Sequence, residues 1–318
     1  MKPIIISSTS LFLGFGFVYT AHIEYKNRKE KDCYKPILYS INGEFSYPML
    51  PIFSNESQDN IFLSLVFPAY NEEKRLGPTL DKAIQYFSSL NINYEIIIVN
   101  GGSTDNTYRL ITQKISQYSQ NYNNLKDIIC ASYIGNGGKG WAVKTGINIC
   151  RGKYILMLDS DGSTNIEEFE LLYESIKNEN YAIAIGSRKL NINENNERIW
   201  YRNLFSNINN CIVKKIIGID IEDTQCGFKL FTRQAAIDIF NNLHIVNWAF
   251  DVDMLYICNK FGIKINEIPV KWKDMPGSKL NVISASILFI RDYLAMILFY
   301  KTGIWKINNY AFNEISII

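Results

Sequence analysis

The sequence predicts an α/β protein built on a doubly wound, mostly parallel sheet with flanking helices, a Rossmann-like layout. Three observations predict it. Short runs of β-branched and aromatic residues alternate with amphipathic runs between residues 61 and 158. Ile96 to Val99 runs straight into Asn100-Gly101-Gly102-Ser103, the pattern of a buried strand entering a Gly-rich loop. Residues 153–158 run into Asp159-Ser160-Asp161-Gly162, which places two carboxylates at the strand ends where open α/β sheets hold ligands.

The elements follow in order. Residues 61–67 read as a strand stopped by Pro68, and residues 78–90 as a helix with Ala83, Ile84 and Phe87 on one face. Residues 94–99 form the second strand. Residues 104–118 form a second helix, with Asp105 near its start, where the helix dipole favours an anion. Residues 128–133 give a third strand, 139–149 a helix after a Gly-rich turn, and 153–158 a fourth strand. Beyond Asp161 the alternation loosens. Residues 169–177, 198–217, 234–240 and 250–261 read as helices, and 181–186 and 265–272 as strands. No internal repeat or low-complexity tract interrupts them.

The two ends differ from this middle. Residues 3–21 are apolar and near the ~20 residues that span a bilayer. Lys26, Arg28, Lys29 and Lys31 follow, a basic flank that stays cytoplasmic by the positive-inside rule. Ala21 allows a cleaved signal peptide as the competing reading, although Tyr19 sits where a small residue would help cleavage. The expectation is an uncleaved N-terminal transmembrane anchor over residues 1–25 and a linker or stalk over 26–60, carrying Pro36, Gly43, Pro48 and Pro51. The main domain takes 61–280. Residues 281–318 form a C-terminal amphipathic, membrane-proximal segment. Arg291-Asp292 in its middle argues against a second span. A helix lying in the membrane interface and a helix packed on the domain both remain open.

Composition removes several functions. The 318 residues are 47% hydrophobic and 20% charged, with a net charge of +2, which suits a packed globular core and gives no footprint for nucleic acid. None of the six cysteines forms a CxxC pair, so neither a zinc site nor a redox pair is supported. His22 and His244 are the only histidines, too few for a histidine metal cluster, and His244 reads as structural.

The chemistry therefore rests on carboxylates and cations. Two acidic oxygen donors two residues apart, Asp159 and Asp161, suit Mg²⁺ or Mn²⁺ carrying a diphosphate. Arg188, Arg198, Arg202 and Lys279 are candidate phosphate ligands, because guanidinium groups give planar bidentate donors. Arg188 follows Gly186-Ser187 at a strand end. Arg198 and Arg202, four apart, share one helix face, which meets a phosphate or simply faces solvent. Gly138-Lys139-Gly140 opens a helix whose backbone N–H groups can face an anion.

The strings PAYNEEKRL, GGSTDNT, NGGKG, DSDG, GSR, DTQCGFKLF and WAFD occur here in the order found in family 2 GT-A glycosyltransferases, which the chain resembles over about residues 61–305. More narrowly, residues 68–76, 223–233, 248–251 and 277–280 resemble the dolichyl-phosphate β-glucosyltransferases, as does the N-terminal layout. The resemblance implies a GT-A fold and an inverting, metal-dependent transfer. Glucose passes from UDP-glucose to the phosphate of dolichyl phosphate, giving dolichyl β-D-glucosyl phosphate for N-glycan precursors. It also implies a single-pass protein of the endoplasmic reticulum membrane with its catalytic domain on the cytosolic face. No protein partner is indicated.

It further implies roles for individual residues. Pro68, Ala69, Tyr70 and Glu72, with Asn100, Gly102 and Lys139, would line the nucleotide side. Gln225 belongs to the acceptor-side loop and Asp251 orients sugar or acceptor, a helix N-cap being its structural alternative. Where the family typically has Val-Asp-Asp-Gly-Ser, this chain has Val99-Asn100-Gly101-Gly102-Ser103. Asn100 keeps a carbonyl that can accept the uracil N3–H but lacks the charge, so a weaker nucleoside contact is expected. Three alternatives stay open: mannose transfer from GDP-mannose to the same lipid, a catalytically silent scaffold of a glycosylation complex, and a soluble nucleotide-binding module.

Overall fold

A computed structural model of the chain describes residues 8–30, 36–40, 43–45, 52, 60–118, 122–190, 213–214, 218, 220–276 and 282–309. Its helices are α1 (Ser8–Glu30), α2 (Leu76–Ser89), α3 (Thr107–Tyr118), α4 (Lys139–Asn148), α5 (Phe169–Ile176), α6 (Arg233–Asn242), α7 (Phe250–Phe261) and α8 (Val282–Lys301). Its strands are β1 (Ile37–Ser40), β2 (Gly43–Phe45), β3 (Leu63–Ala69), β4 (Tyr94–Asn100), β5 (Leu125–Ser132), β6 (Tyr154–Leu158), β7 (Ala182–Ser187), β8 (Phe228–Thr232) and β9 (Lys264–Pro269).

The strands form one sheet in the order β2-β1-β5-β4-β3-β6-β8-β7-β9. The centre, β5-β4-β3-β6, is parallel, as the alternation of strand and helix requires. Every side chain of β4 and β6 is buried, which fits central strands covered on both faces. Two apolar clusters cover those faces. One joins Val66, Ile97 and Met157 to α4, α6 and α7, and the other joins Leu65, Ile98 and Leu156 to α2, α3 and α5.

Register is set at the N-terminal ends of the strands by a buried carboxylate. Glu95 accepts from Ser64 Oγ at 2.6 Å, from the Arg151 backbone N–H at 2.7 Å and from Arg151 Nε at 2.7 Å. An ionised group at that depth is tolerated only because it is paired and fully hydrogen-bonded. One residue of slip in β3, β4 or the turn before β6 would strand it.

Several expectations change. β3 runs through Pro68 to Ala69, since Pro68 pairs in register with Val99 and lacks only a donor. Part of the expected linker is sheet: β1 pairs antiparallel with β5, and β2 with β1. β8 is an unexpected strand, inserted antiparallel between β6 and β7, so the sheet is mixed. The expected helix over 198–217 lies almost wholly outside the described residues.

The N-terminal anchor is also corrected. Among the described residues no helix is long and apolar enough to cross a membrane. α1 carries Glu24 in its second half, and Glu24 accepts from Arg291 Nη2 of α8 at 2.8 Å and from Asn247 Nδ2 at 3.0 Å. Val18 and Ala21 are buried in a cluster with Tyr293, Met296, Phe299 and Trp305, so α1 and α8 pack on each other and on α7. Arg291 is also paired with Asp292 at 2.6 Å, which explains how a charged pair sits inside an apolar helix. Both helices still present apolar side chains outward: Phe15, Phe17 and Ile23 on α1, and Ile287, Leu288, Ile290 and Leu294 on α8.

Candidate active site

The C-terminal ends of β3, β4 and β6 bring three loops together. In the first, Asn71 adopts a left-handed backbone at φ 56°, a conformation Asn tolerates better than most residues. Its Oδ1 accepts from Thr104 N at 2.7 Å, and its own N–H donates to Ser103 Oγ at 2.9 Å. Glu72 N donates to Thr107 Oγ1 at 2.7 Å, and Glu73 Oε2 accepts from Asn106 N at 3.0 Å. The Tyr-Asn-Glu-Glu loop after β3 is thereby latched to the Gly-Ser-Thr-Asp-Asn-Thr loop after β4. Asp105 closes the junction: its Oδ1 accepts from Thr107 N at 3.0 Å, at the start of α3.

Asn100 faces into this junction. It is buried, its Oδ1 accepts from Ser103 N at 3.2 Å and its Nδ2 donates to Ser132 Oγ at 3.0 Å. The carbonyl expected to read a base is thus engaged in shaping the loop. Gly102, at φ 74°, lies so close to Gly135 that a Cβ would come within 2.5 Å of its carbonyl oxygen, which accounts for glycine there. Pro68 and Ala69 contribute backbone: Pro68 O accepts from Ser160 Oγ at 2.8 Å, and Ala69 O from Gly101 N at 2.8 Å. Tyr70 is half-buried beside them.

Asp159 and Asp161 leave β6 and line a cavity of about 780 Å³, within the size range of small-molecule sites. Asp159 Oδ1 receives Lys139 Nζ, from the first turn of α4, at 2.6 Å. Burial pushes the Asp159 carboxyl up, but Lys139, aided by Lys229 and Arg188, outweighs burial and holds it below its ordinary 3.8. The Lys139 ammonium is raised in turn: burial disfavours its charge, and Asp159, Asp251 and Asp161 overcome that. Asp161 Oδ1 accepts from Ser163 N at 3.0 Å, while its Oδ2 lies 3.8 Å from Arg75 Nη1. Arg75 is held by a two-pronged pair with Glu72 at 2.6 and 2.7 Å. Glu72 therefore aims an arginine at the acidic pair and does not stand free for a ligand.

A second tier supports the first. Arg188 makes a bidentate pair with Asp223, both bonds 2.6 Å, and its guanidinium carbon lies 5.4 Å from the centre of the Trp272 ring. Burial alone would lower Arg188; Asp223 more than reverses this, so it stays charged. Lys229 is fully buried on β8 and donates to Asp251 Oδ1 at 2.8 Å and to the Cys226 carbonyl. Asp251 lies inside α7, whose N-cap is Ala249, so the capping alternative is not realised. Burial raises the Asp251 carboxyl even against Lys229. Gly227 backs onto Asp159, and a Cβ there would overlap the carboxylate. Gln225, two residues before it, is half-buried.

The structure thus brings together Lys139, Asp159 and Asp161, with Arg188 and Asp251 behind them. Neither Asn100 nor Gly102 borders the cavity. Arg198, Arg202 and Lys279 lie outside the described residues. Sequence reasoning missed Arg75, Asp223 and Lys229. Arg75 was visible inside the PAYNEEKRL string. Asp223 and Lys229 were visible inside the DTQCGFKLF string, but nothing in it marks the lysine as buried and paired.

Comparison with known proteins agrees with this arrangement. The family model described as Glycosyl transferase family 2 matches residues 64–240. A dolichyl-phosphate beta-glucosyltransferase of Dictyostelium discoideum is 42% identical over 262 residues, 79% of this chain and 78% of that protein. Those of Homo sapiens and Saccharomyces cerevisiae are 38% and 37% identical, covering 77% and 80% of this chain and 78% and 80% of theirs. Among solved structures, glucosyl-3-phosphoglycerate synthase of Mycobacterium tuberculosis with uridine diphosphate superposes with a TM-score of 0.53 at 14% identity, covering 80% of this chain and 85% of that one, a likeness of fold. With the sheet, the latched loops and the Asp-Ser-Asp edge in hand, the chain belongs to glycosyl transferase family 2 and, within it, to the dolichyl-phosphate β-glucosyltransferases.

Proposed function

We infer that the chain transfers glucose from UDP-glucose to the phosphate of dolichyl phosphate with inversion, releasing UDP and forming dolichyl β-D-glucosyl phosphate. The observation that carries the reading is the placement of Asp159 and Asp161 together on one cavity, in a chain 37–42% identical to dolichyl-phosphate beta-glucosyltransferases.

The donor set suits Mg²⁺ or Mn²⁺. No group of three or more His, Cys, Asp or Glu side chains that could hold a metal occurs among the described residues. Such ions commonly take one or two carboxylates and complete their shell with substrate phosphates and water. Asp159, kept ionised by Lys139, and Asp161 would hold the ion. Bound there, it supplies positive charge to the departing diphosphate. A neighbour of the same fold, the synthase from Mycobacterium tuberculosis, was crystallised with Mn²⁺ and UDP-glucose.

The chain's own groups do the rest. Lys139 stands at the helix start beside Asp159, where its charge and the N-terminus of α4, which has no side-chain cap, favour a phosphate. The acceptor phosphate is already an anion, so attack on the anomeric carbon needs no strong general base. Asp251, buried and paired with Lys229, fits a positioning role. The apolar faces of α1 and α8 support contact with the membrane that holds the lipid acceptor. The cytosolic face of the endoplasmic reticulum is the placement this reading entails.

The test is product analysis with the full chain and dolichyl phosphate, offering UDP-glucose and GDP-mannose in parallel. Glucosyl lipid of β configuration from UDP-glucose alone is expected. Mannosyl lipid, or an α-linked product, would overturn the reading.

A further inference from the structure

We propose that Lys271 and Lys273, together with Lys74 and Lys82 on the same cavity, form the subsite for the acceptor's phosphate, as a second anion site on the cavity that holds Asp159 and Asp161. This rests on the glucosyl-transfer reading; of the four lysines only Lys74 falls within a family string, and none is among the phosphate ligands the sequence suggests.

Four lysines line one cavity together with the acidic pair. Lys74 comes from the turn just before α2, Lys82 from the body of α2, and Lys271 and Lys273 from the segment after β9. Among the described residues none of the four side chains has a carboxylate within ion-pair distance. By contrast, Lys139, Arg75 and Arg188 in the same region are each paired. Like charges gathered on one cavity repel, so their natural complement is a polyanion.

The position of Lys271 and Lys273 is built. Thr164 and Trp272 form an antiparallel bridge, Lys273 N donates to Ser163 O at 2.8 Å, and Asn165 N donates to Lys271 O at 3.4 Å. Residues 163–165 continue directly from Asp161. The two lysines are therefore tied by backbone to the loop carrying the acidic pair, one on each side of Trp272. A phosphate held there lies on the same cavity as a diphosphate at Asp159 and Asp161, as transfer between them requires.

The next stretch of chain indicates what else the ligand carries. Arg75 Nη1 donates to Pro276 O at 3.3 Å, fixing the end of this segment at the cavity. From Pro276 to Val282, where α8 starts, is at most about 20 Å of extended chain. α8 then presents Ile287, Leu288, Ile290 and Leu294 to the outside. A cationic cavity joined by so short a link to an apolar helix face matches a phosphate monoester on an apolar chain better than free phosphate.

Titrate the full wild-type chain with farnesyl phosphate, farnesol and inorganic phosphate, following binding by calorimetry. Repeat with Lys271→Ala/Lys273→Ala and with Lys271→Arg/Lys273→Arg, and measure the KM of dolichyl phosphate and of UDP-glucose for each. The expected result is farnesyl phosphate binding well above either control. In the alanine pair that binding weakens, and the KM for the lipid rises, by about tenfold or more, while the KM for UDP-glucose stays within twofold. The arginine pair recovers both. Unchanged lipid binding in the alanine pair, a rise of both KM values together, or equal binding of inorganic phosphate overturns the subsite. A wild-type chain that binds farnesyl phosphate through these lysines but transfers no glucose would leave the subsite standing and remove the donor reading instead.

Discussion

Lys139 Nζ sits 2.6 Å from Asp159 Oδ1, at the meeting of the α4 N-terminus and the end of β6. Removing that ammonium leaves the upward push of burial on Asp159 without its chief opponent. In Lys139→Met the acid limb of the pH–activity profile therefore moves to higher pH. Because a charge facing the diphosphate is lost as well, kcat/KM falls by about 10²-fold. Both are read from initial rates across pH with UDP-glucose at fixed lipid. In wild type, Asp159 is a carboxylate depressed on folding. Its stabilising contribution is present above 3.8 and is lost as pH falls through its lower folded value.

The buried pair of Lys229 and Asp251 gives an asymmetric pair of outcomes. Lys229→Met strands a buried carboxylate and costs about 3–5 kcal/mol, whereas Lys229→Met combined with Asp251→Leu costs much less. Urea denaturation of the two variants checks this. Activity stays low in the double variant, because Asp251 is gone.

Asp253 carries a pH dependence of opposite sign to Asp159. It is fully buried, and accepts from Tyr300 at 2.6 Å and from the His244 and Ile245 N–H groups at 2.7 and 2.8 Å. Burial outweighs those bonds and lifts its carboxyl from 3.8 to about 6. A raised acid binds its proton more tightly in the folded state, so it lowers stability as pH rises from 3.8 through 6 and no further above. Asp292, lifted to about 6 by burial despite Arg291, adds a slope in the same window. Asp253→Asn removes one of the two, flattening the change between pH 4 and 7 by about 3 kcal/mol. Thermal melts of wild type and variant at a series of pH values give the difference directly.

Asn71 separates backbone from side chain. Asn71→Gly keeps the left-handed turn and loses the bonds to the Thr104 loop. Asn71→Ala loses both and costs about 1–2 kcal/mol more. Chemical denaturation ranks them wild type, Gly, Ala.

Much of this was legible in the sequence, for reasons the structure makes plain. The central strands read clearly because they are buried on both faces, so that Ile96 to Val99 and residues 154–158 are unbroken apolar runs. The acidic pair was legible because it interrupts such a run. β1, β2 and β8 were not. β1 and β2 are four- and three-residue strands, β1 relying on β5 for a partner and β2 on β1, and β8 carries a buried lysine whose counter-ion is 22 residues away. Asn100 was placed correctly at the strand end, but its part in shaping the loop was not foreseen. Its bond to Ser132 depends on the register of β4 against β5, which one chain's sequence does not display. The N-terminal helix was read from its apolar half, whereas Glu24, in its other half, ties it to Arg291 and Asn247.

The most direct measurement is glucosyl transfer from radiolabelled UDP-glucose to dolichyl phosphate by purified full-length chain, with Asp159→Ala and Asp161→Ala beside wild type. The account predicts glucosyl lipid from wild type and a loss of at least about 10²-fold in each variant, with both variants still folding cooperatively. Transfer that survives both substitutions, or a folded wild type that makes no glucosyl lipid, would contradict it.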